Sequence, residues 1–398
     1  MGTPNGINLI ARKADVPDLA SCLALHQSLD LPYVEANRRI LPNVWRALFS
    51  NGAMQIFLVE DRSRPAGSRV VSFHAFIFVT DEFCSDARST LLPYLSVELA
   101  RRYCSRLLPV LNREQIAKAN ANDGVNVVMC CEGWTQDGFS PEQTLAVLEK
   151  QGEALHLALR GYRIKEFLAE PIGRERSQWM LDAGARIRCD YSDYFRATGF
   201  PETESSRQPL LVGLTRSEAL THSGGNIAGL FVYTAPRFHF SRSERVLLEH
   251  ALVGETCEQL AASLCVSTWT VKKRWHAIYD RVSDVDGELL PPPTAYGACA
   301  VSRGSERRRR LLNYLRQHLE ELRPYATGTR QKGKTENYVS DTDRFPLSHV
   351  RYSEPKATSN AIDDARFYGL SRSGGAHQQQ KIRAKCANVR RKGLAQRH

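Results

Sequence analysis

Apolar positions along the first 200 residues switch between two periods. Met54 to Glu60 (MQIFLVE) and Val70 to Thr80 are dense in β-branched and aromatic residues, which predicts two strands. Arg62 to Ser68 between them is rich in Pro, Gly and Ser, so the pair reads as a hairpin. Val125 to Cys131 is a continuous apolar run, the pattern of a buried strand. Asn8 to Ile10 and Ile164 to Glu170 add two shorter strands. Asp15 to Ser28 follows the helical period instead, with Asp15 as N-cap and Pro17 in the first turn. So does Pro141 to Tyr162, whose stripe is Leu145, Val147, Leu148, Leu155, Leu157 and Leu159. Ser140 and Gly161 bound it, as a helix start and end require. The mixture predicts a mixed α/β domain over residues 1–200.

Residues 201–235 read as a linker. Pro201 to Arg207 is polar, Thr215 to Leu220 is a helical turn, His222 to Asn226 is a loop, and Leu230 to Tyr233 is a short apolar piece.

Residues 236–323 change character to all-α. Ser241-Arg-Ser-Glu244 and Thr256-Cys-Glu-Gln259 both have capping-box spacing. The first helix buries Leu247, Leu248, Ala251 and Leu252 and stops at Gly254. The second buries Leu260, Ala261 and Leu264. After a tight turn at Cys265-Val266, Ser267 caps a third helix with core stripe Val271, Trp275, Ile278 and Val282. Its opposite face carries Trp269, Lys272, Lys273 and His276 at i, i+3, i+4 and i+7. A helix of this width fits the major groove of duplex DNA. Lys272, Lys273 and His276 would then meet base edges, and Thr256, Thr270 and Arg274 phosphates.

The run from Phe240 to Val282 resembles the LuxR (GerE) helix-turn-helix family. Phe240-Ser241-Arg242-Ser243-Glu244 is similar to its Leu-Thr-x-Arg-Glu opening, and Gly254 and Thr256 to its Gly and Ser/Thr. Leu260-Ala261 takes the place of its Ile-Ala, and Ser267, Thr270, Val271 and Lys272 that of its Ser-x-x-Thr-Val-Lys. The resemblance implies DNA reading by the third helix and a homodimer on a two-fold site. The chain departs from it at Cys257-Glu258-Gln259 and at Arg274. Asp286-Gly287 and Pro291 to Pro293 interrupt the place of a fourth helix.

The order of elements from Asn8 to Glu170 loosely resembles the GNAT acyltransferase superfamily. That resemblance implies a glycine-containing loop after the central strand, with backbone amides around the pyrophosphate of coenzyme A. Here the loop reads Glu132-Gly-Trp-Thr-Gln-Asp-Gly138-Phe-Ser, which departs from Arg/Gln-x-x-Gly-x-Gly/Ala. The expectation is therefore no cofactor and a sensory or scaffold role, with the effector undefined. Glu132 and Asp137 are acidic residues near a strand end. Cys130 and Cys131, a pair inside an apolar strand, read as core, with a nucleophile or redox sensor as the alternative.

Composition adds three points. The net charge of +11 lies late: residues 1–239 hold 26 basic and 26 acidic side chains. A polyanionic partner should therefore meet the C-terminal half. Arg307 to Arg310 lead into a stripe of Leu311, Leu312, Leu315, Leu319 and Leu322, with phosphate contact or mere solvation as alternatives for the arginines. Residues 324–398 lack an apolar period and read as a disordered basic tail. Ten cysteines without ligand spacing predict reduced thiols and no metal. No apolar run reaches the length of a membrane span. The expectation is a cytoplasmic, nucleoid-associated, non-enzymatic transcription regulator on double-stranded DNA, with RNA polymerase a further partner. Three readings compete with it: an acyltransferase fused to a DNA-binding module, a sigma-region-4-like factor, and an interaction scaffold.

Overall fold

A computed structural model describes residues 6–29, 31, 35–89, 93–107, 109–135, 138–198, 208–221, 226–291 and 300–325. The expected tail lies outside these residues from 326 onward, as do 201–207, 222–225 and Asp137.

In chain order the elements are β1 (Leu9–Lys13), α1 (Asp18–Ser28), α2 (Glu35–Ser50), β2 (Met54–Asp61), β3 (Val70–Val79), α3 (Asp81–Ser89), α4 (Leu95–Cys104), α5 (Arg113–Ala121) and β4 (Val125–Trp134). There follow α6 (Pro141–Leu159), β5 (Ile164–Ala169), α7 (Arg174–Asp182), β6 (Arg186–Asp190), α8 (Ser192–Thr198), β7 (Leu210–Thr215) and α9 (Arg216–Thr221). The C-terminal helices are α10 (Arg242–Leu252), α11 (Cys257–Ser263), α12 (Thr268–Val285) and α13 (Ala300–Gln317).

The strands form one seven-stranded mixed sheet in the order β1-β2-β3-β4-β5-β7-β6. Every neighbouring pair is antiparallel except β4 and β5. Successive side chains on a strand alternate between faces. Phe57, Val127, Phe167 and Val212 accordingly join one apolar cluster, while Ile56, Val128, Leu168 and Leu211 join another. Side chains of α1 to α4 complete the second cluster, and those of α5, α6 and α10 to α13 the first. The sheet is therefore buried on both faces, which explains why β2 to β4 read as unbroken apolar runs rather than as alternation.

Two expectations are corrected. Residues 201–235 are not a linker throughout: Leu210–Thr215 is β7, an internal strand between β5 and β6. Asp15 does not cap α1, which begins at Asp18 after Pro17. Asp15 instead donates its N–H to the Asp18 carboxylate at 2.7 Å.

The C-terminal helices follow the sequence closely. Both capping boxes form, and Ser267 accepts the N–H of Thr270. Cys265 takes a left-handed φ of 51° in the turn between α11 and α12. Leu311, Leu312, Leu315, Leu319 and Leu322 are all buried. A short segment after α13 closes on the chain leading into α10. Tyr325 donates to the Phe240 carbonyl, and the Glu321 carboxylate accepts the N–H groups of Arg237 and Phe238.

Candidate active site

β4 and β5 run side by side only briefly. Their register begins at Val125 with Ile164 and ends at Met129 with Ala169. β4 then continues to Trp134, paired with β3 alone. The chain leaving β5 turns away through Glu170-Pro171-Ile172 and pairs Ile172 with Pro209. The two parallel strands part at their carboxyl ends, and the gap between them is the candidate cleft. The β3–β4 register skips Cys130, so β4 carries a bulge where the strands part. The bulge also explains why Cys130 and Cys131 both lie in the same cluster instead of alternating.

A buried polar cluster fills the head of the cleft. Glu132 reaches from β4 toward the other side, where its Oε1 accepts the Ile172 N–H at 3.2 Å. His74 Nε2 lies 3.9 Å from its Oε2, and Arg176 Nε 3.9 Å from its Oε1. The Arg176 guanidinium sits 3.5 Å over the Trp134 ring. It donates through Nη2 to Gln151, whose side-chain amide donates to the Ser72 hydroxyl. Arg176 Nη1 is buried without a partner. Glu132, His74, Arg176 and Gln151 are all less than a tenth exposed. Polar groups so buried are costly unless paired, and a cluster that is only half satisfied is a candidate functional site.

Burial sets the charges. It pushes His74 down to about 3, aided by Arg176, so the imidazole is neutral at ordinary pH. It pulls Arg176 down as well, and Glu132 opposes that. Glu170, at the exit of β5, accepts the N–H groups of Tyr94 at 3.0 Å and Leu95 at 2.6 Å. Burial nonetheless pushes its carboxyl up to about 8. His26 on α1 is buried against the same strand, with Nδ1 2.8 Å from the Glu132 carbonyl oxygen. It borders a cavity of about 20 Å³ with Leu23, Gln27, Leu31, Arg38 and Leu41.

The described residues after β4 do not fit a pyrophosphate. At Gly133 a Cβ would lie 2.5 Å from Phe73 and 3.1 Å from the His26 backbone nitrogen, so this glycine admits α1 rather than a ligand. The first turn of α6 is closed. Pro141 has no N–H. The Ser140 side chain takes the Gln143 N–H, the Thr144 N–H already bonds the Ser140 carbonyl, and Glu142 places a carboxylate there.

The residues expected to contact DNA lie elsewhere, on the C-terminal helices. Trp269, Lys272, Lys273 and His276 are exposed on one side of α12, and Lys273 Nζ is 5.5 Å from the Trp269 ring centre. Arg274 and Thr270 are half-buried, and Thr256 is exposed as the N-cap of α11. The Thr270 and Ser267 hydroxyls lie 2.9 Å apart. Arg307 and Arg308 stack on Tyr279 and Trp275, and Arg309 and Arg310 pair with Glu306. The arginine run is thus committed largely to the protein itself. The sequence reading missed Arg176, Glu170 and Gln151. His74 and Glu132 carried a signal, as polar residues in or beside apolar strands.

No family model matches the chain, and no curated protein matches it. Among solved structures it is similar to the C-terminal condensation domain of Ebony in complex with beta-alanyl-dopamine, at 13% identity and a TM-score of 0.32, covering 52% of this chain and 99% of that one. It is similar to FeeM, an N-acyl amino acid synthase from uncultured soil microbes, at 9% identity and a TM-score of 0.30, covering 54% and 96%. It is also similar to mutant forms of the spermidine/spermine N-acetyltransferase SpeG from Vibrio cholerae, at 9% identity and a TM-score of 0.29, covering 54% and 98%. The expectation of a non-enzymatic transcription regulator is not upheld by these neighbours, whose names are those of a condensation domain, an N-acyl amino acid synthase and an N-acetyltransferase. Nothing in the fold supports nucleoid association. Among the described residues no helix is long and apolar enough to cross a membrane. The described residues form a seven-stranded mixed α/β sheet with helices.

Proposed function

We propose that the α/β unit transfers an acyl group from a thioester to an amine. The observation that carries this is the cleft between β4 and β5, with the Glu132 carboxylate reaching across its head. Past Met129 the backbone of β4 has no strand partner on the β5 side. Its N–H groups there polarise the acyl carbonyl as negative charge develops on the oxygen. The amine nitrogen attacks the carbonyl carbon, the C–N bond forms and the C–S bond breaks. Glu132 takes the proton released by the amine and returns it to the departing thiolate. His74 and Arg176 hold the Glu132 carboxylate in place, and His74 stays neutral as it does so.

The test is thiol release from S-acetylpantetheine with a panel of aliphatic, aromatic and amino-acid amines. Release should depend on the amine and fall about 10²- to 10⁴-fold in Glu132→Gln, the usual contribution of a general base. Wild-type rates in that variant, or no release with any amine, would sink the reading.

The exposed face of α12 supports a second activity in the same chain. Trp269, Lys272, Lys273 and His276 stand together there, and among the described residues no carboxylate is bonded to them. We read α11 and α12 as a helical module, fused to the acyltransferase, that docks on duplex DNA. Affinity for random duplex should fall steeply with salt, and Lys272→Ala/Lys273→Ala should flatten the slope by about 2. A slope unchanged by the double substitution would remove DNA from the account.

A further inference from the structure

We infer that the acyl donor of this chain is a thioester without a pyrophosphate-bearing nucleotide: the start of α6, where such a group would sit, is already capped by Ser140 and Gln143 and carries the Glu142 carboxylate. This rests on the acyl-transfer reading above and specifies its donor.

A helix N-terminus binds phosphate because its first N–H groups lack partners and its dipole favours negative charge. In α6 each of these donors is removed or used. Pro141 lacks one. The Gln143 N–H goes to Ser140 Oγ at 3.3 Å. The Thr144 N–H goes to the Ser140 carbonyl at 2.8 Å. The Glu142 backbone N–H bonds its own carboxylate. The Gln143 side chain returns to the Ser140 N–H at 2.9 Å, so the preceding donor is used as well. The Ser140 hydroxyl then donates to Glu142 at 2.7 Å, which holds that carboxyl below its usual range and so ionised. The dipole is thus already answered by the chain's own anion, and a second anion there meets like charge.

The side chains around this turn offer little cationic replacement. Arg64 lies over the Phe139 ring at 4.5 Å and pairs with the buried Asp61. Phe139 itself packs with Val59, Val71 and Val147. The mouth beside α6 is therefore apolar and capped. The cleft beyond it keeps an unpaired strand edge, which suits an amide-bearing thiol arm. The donor class that fits is an acylated pantetheine-type thiol, either free or tethered to a carrier protein. The transfer balances without further reagents: thioester and amine give amide and free thiol.

Calorimetric titration of the full chain with S-acetyl-coenzyme A, S-acetylpantetheine and adenosine 3′,5′-bisphosphate tests this. The two thioesters should bind within about threefold of each other, and the bisphosphate should compete with neither. A good set of phosphate contacts is worth about 10- to 100-fold. Coenzyme A thioester bound that much more tightly, or displaced by the bisphosphate, overturns the inference but leaves acyl transfer standing. Binding of neither thioester overturns both. Glu142→Gln supplies an independent readout. It should raise the affinity for S-acetyl-coenzyme A about threefold at low salt, and leave that for S-acetylpantetheine unchanged. An equal or absent change for the two would remove Glu142 as the excluding group. Faster turnover with the arm on a carrier protein than with free S-acetylpantetheine would identify the tethered source, and equal rates the free one.

Discussion

Glu170 and His74 are both buried in the cleft region, and both are held neutral by burial, from opposite directions. An acid whose folded pKa is raised binds a proton in the native state that the unfolded chain has lost. For Glu170, raised to about 8, the stabilisation is present below the ordinary carboxylate range and disappears as pH rises toward 8. His74, lowered to about 3, behaves oppositely: it favours folding above the ordinary imidazole range and loses that as pH falls. His26 is lowered as well and acts with His74. The two effects oppose each other on the acid side of about 6.5, the ordinary imidazole value. Of these three groups, only Glu170 changes its contribution between pH 7 and 8.5. The melting temperature of the wild type should fall over that interval, and that of Glu170→Gln should fall less. Parallel curves would show that Glu170 is ionised throughout. The sequence hinted at this chemistry unevenly. His74 carried a readable signal, because it interrupts an apolar strand, though nothing in the pattern alone gives it a role. Arg176 did not, because a charged residue in a stretch as polar as Arg174–Asp182 is ordinarily solvated, and only the closure of Trp134 over its guanidinium buries it.

At the scale of elements, α6 joins the cleft to the helical unit. Its middle carries Gln151, which meets Ser72 and Arg176. Its carboxyl end is held by Arg323, which donates to the carbonyls of Leu157, Ala158 and Arg160 and to Gln55. The same guanidinium lies 4.8 Å from the Tyr162 ring. Basic side chains at this end satisfy the last carbonyls and the dipole together. Gly161 makes the approach possible: its φ is +86°, and a Cβ there would lie 2.6 Å from the Glu320 backbone. Arg323→Ala leaves several buried carbonyls unpaired. It should cost about 2–4 kcal/mol, read as a lower denaturant midpoint. A loss below about 0.5 kcal/mol would show that the clamp is incidental, as at an ordinary surface site. The bounds of α6, β2 and β3 were legible because each shows one period for many residues and ends on a capping or turn residue. β6 and β7 were not. β6 alternates weakly between half-buried and exposed positions, and β7 is six residues between polar stretches. What makes β7 a strand is the two edges it joins, which no local pattern reports.

At the scale of the whole molecule, the apolar cluster that contains Phe57, Val127 and Phe167 also contains Leu247, Val271 and Ile278. The salt bridge between Arg113 on α5 and Glu249 on α10, at 2.7 Å, crosses the same contact. The helical unit is therefore seated on the sheet rather than carried on a flexible tether. The late excess of positive charge was visible in the composition, and so were the caps of all three helices. Their docking was not, since Arg307 and Arg308 looked like solvated charges and are turned onto aromatic rings.

The place of β7 also bears on how the chain must be made. β6 pairs with β7 alone, and β7 supplies the outer neighbour of β5. A ribosome that has emitted only the first 200 residues has released a sheet with an open edge at β5 and a stranded β6. An exposed edge of this kind templates wrong pairings. Completion waits for residues 210–215, which come just ahead of the helices that will cover one face. Synthesis thus passes through an interval in which residues 1–200 are translated and their sheet is still unfinished, and a chaperone that shields strand edges would act there.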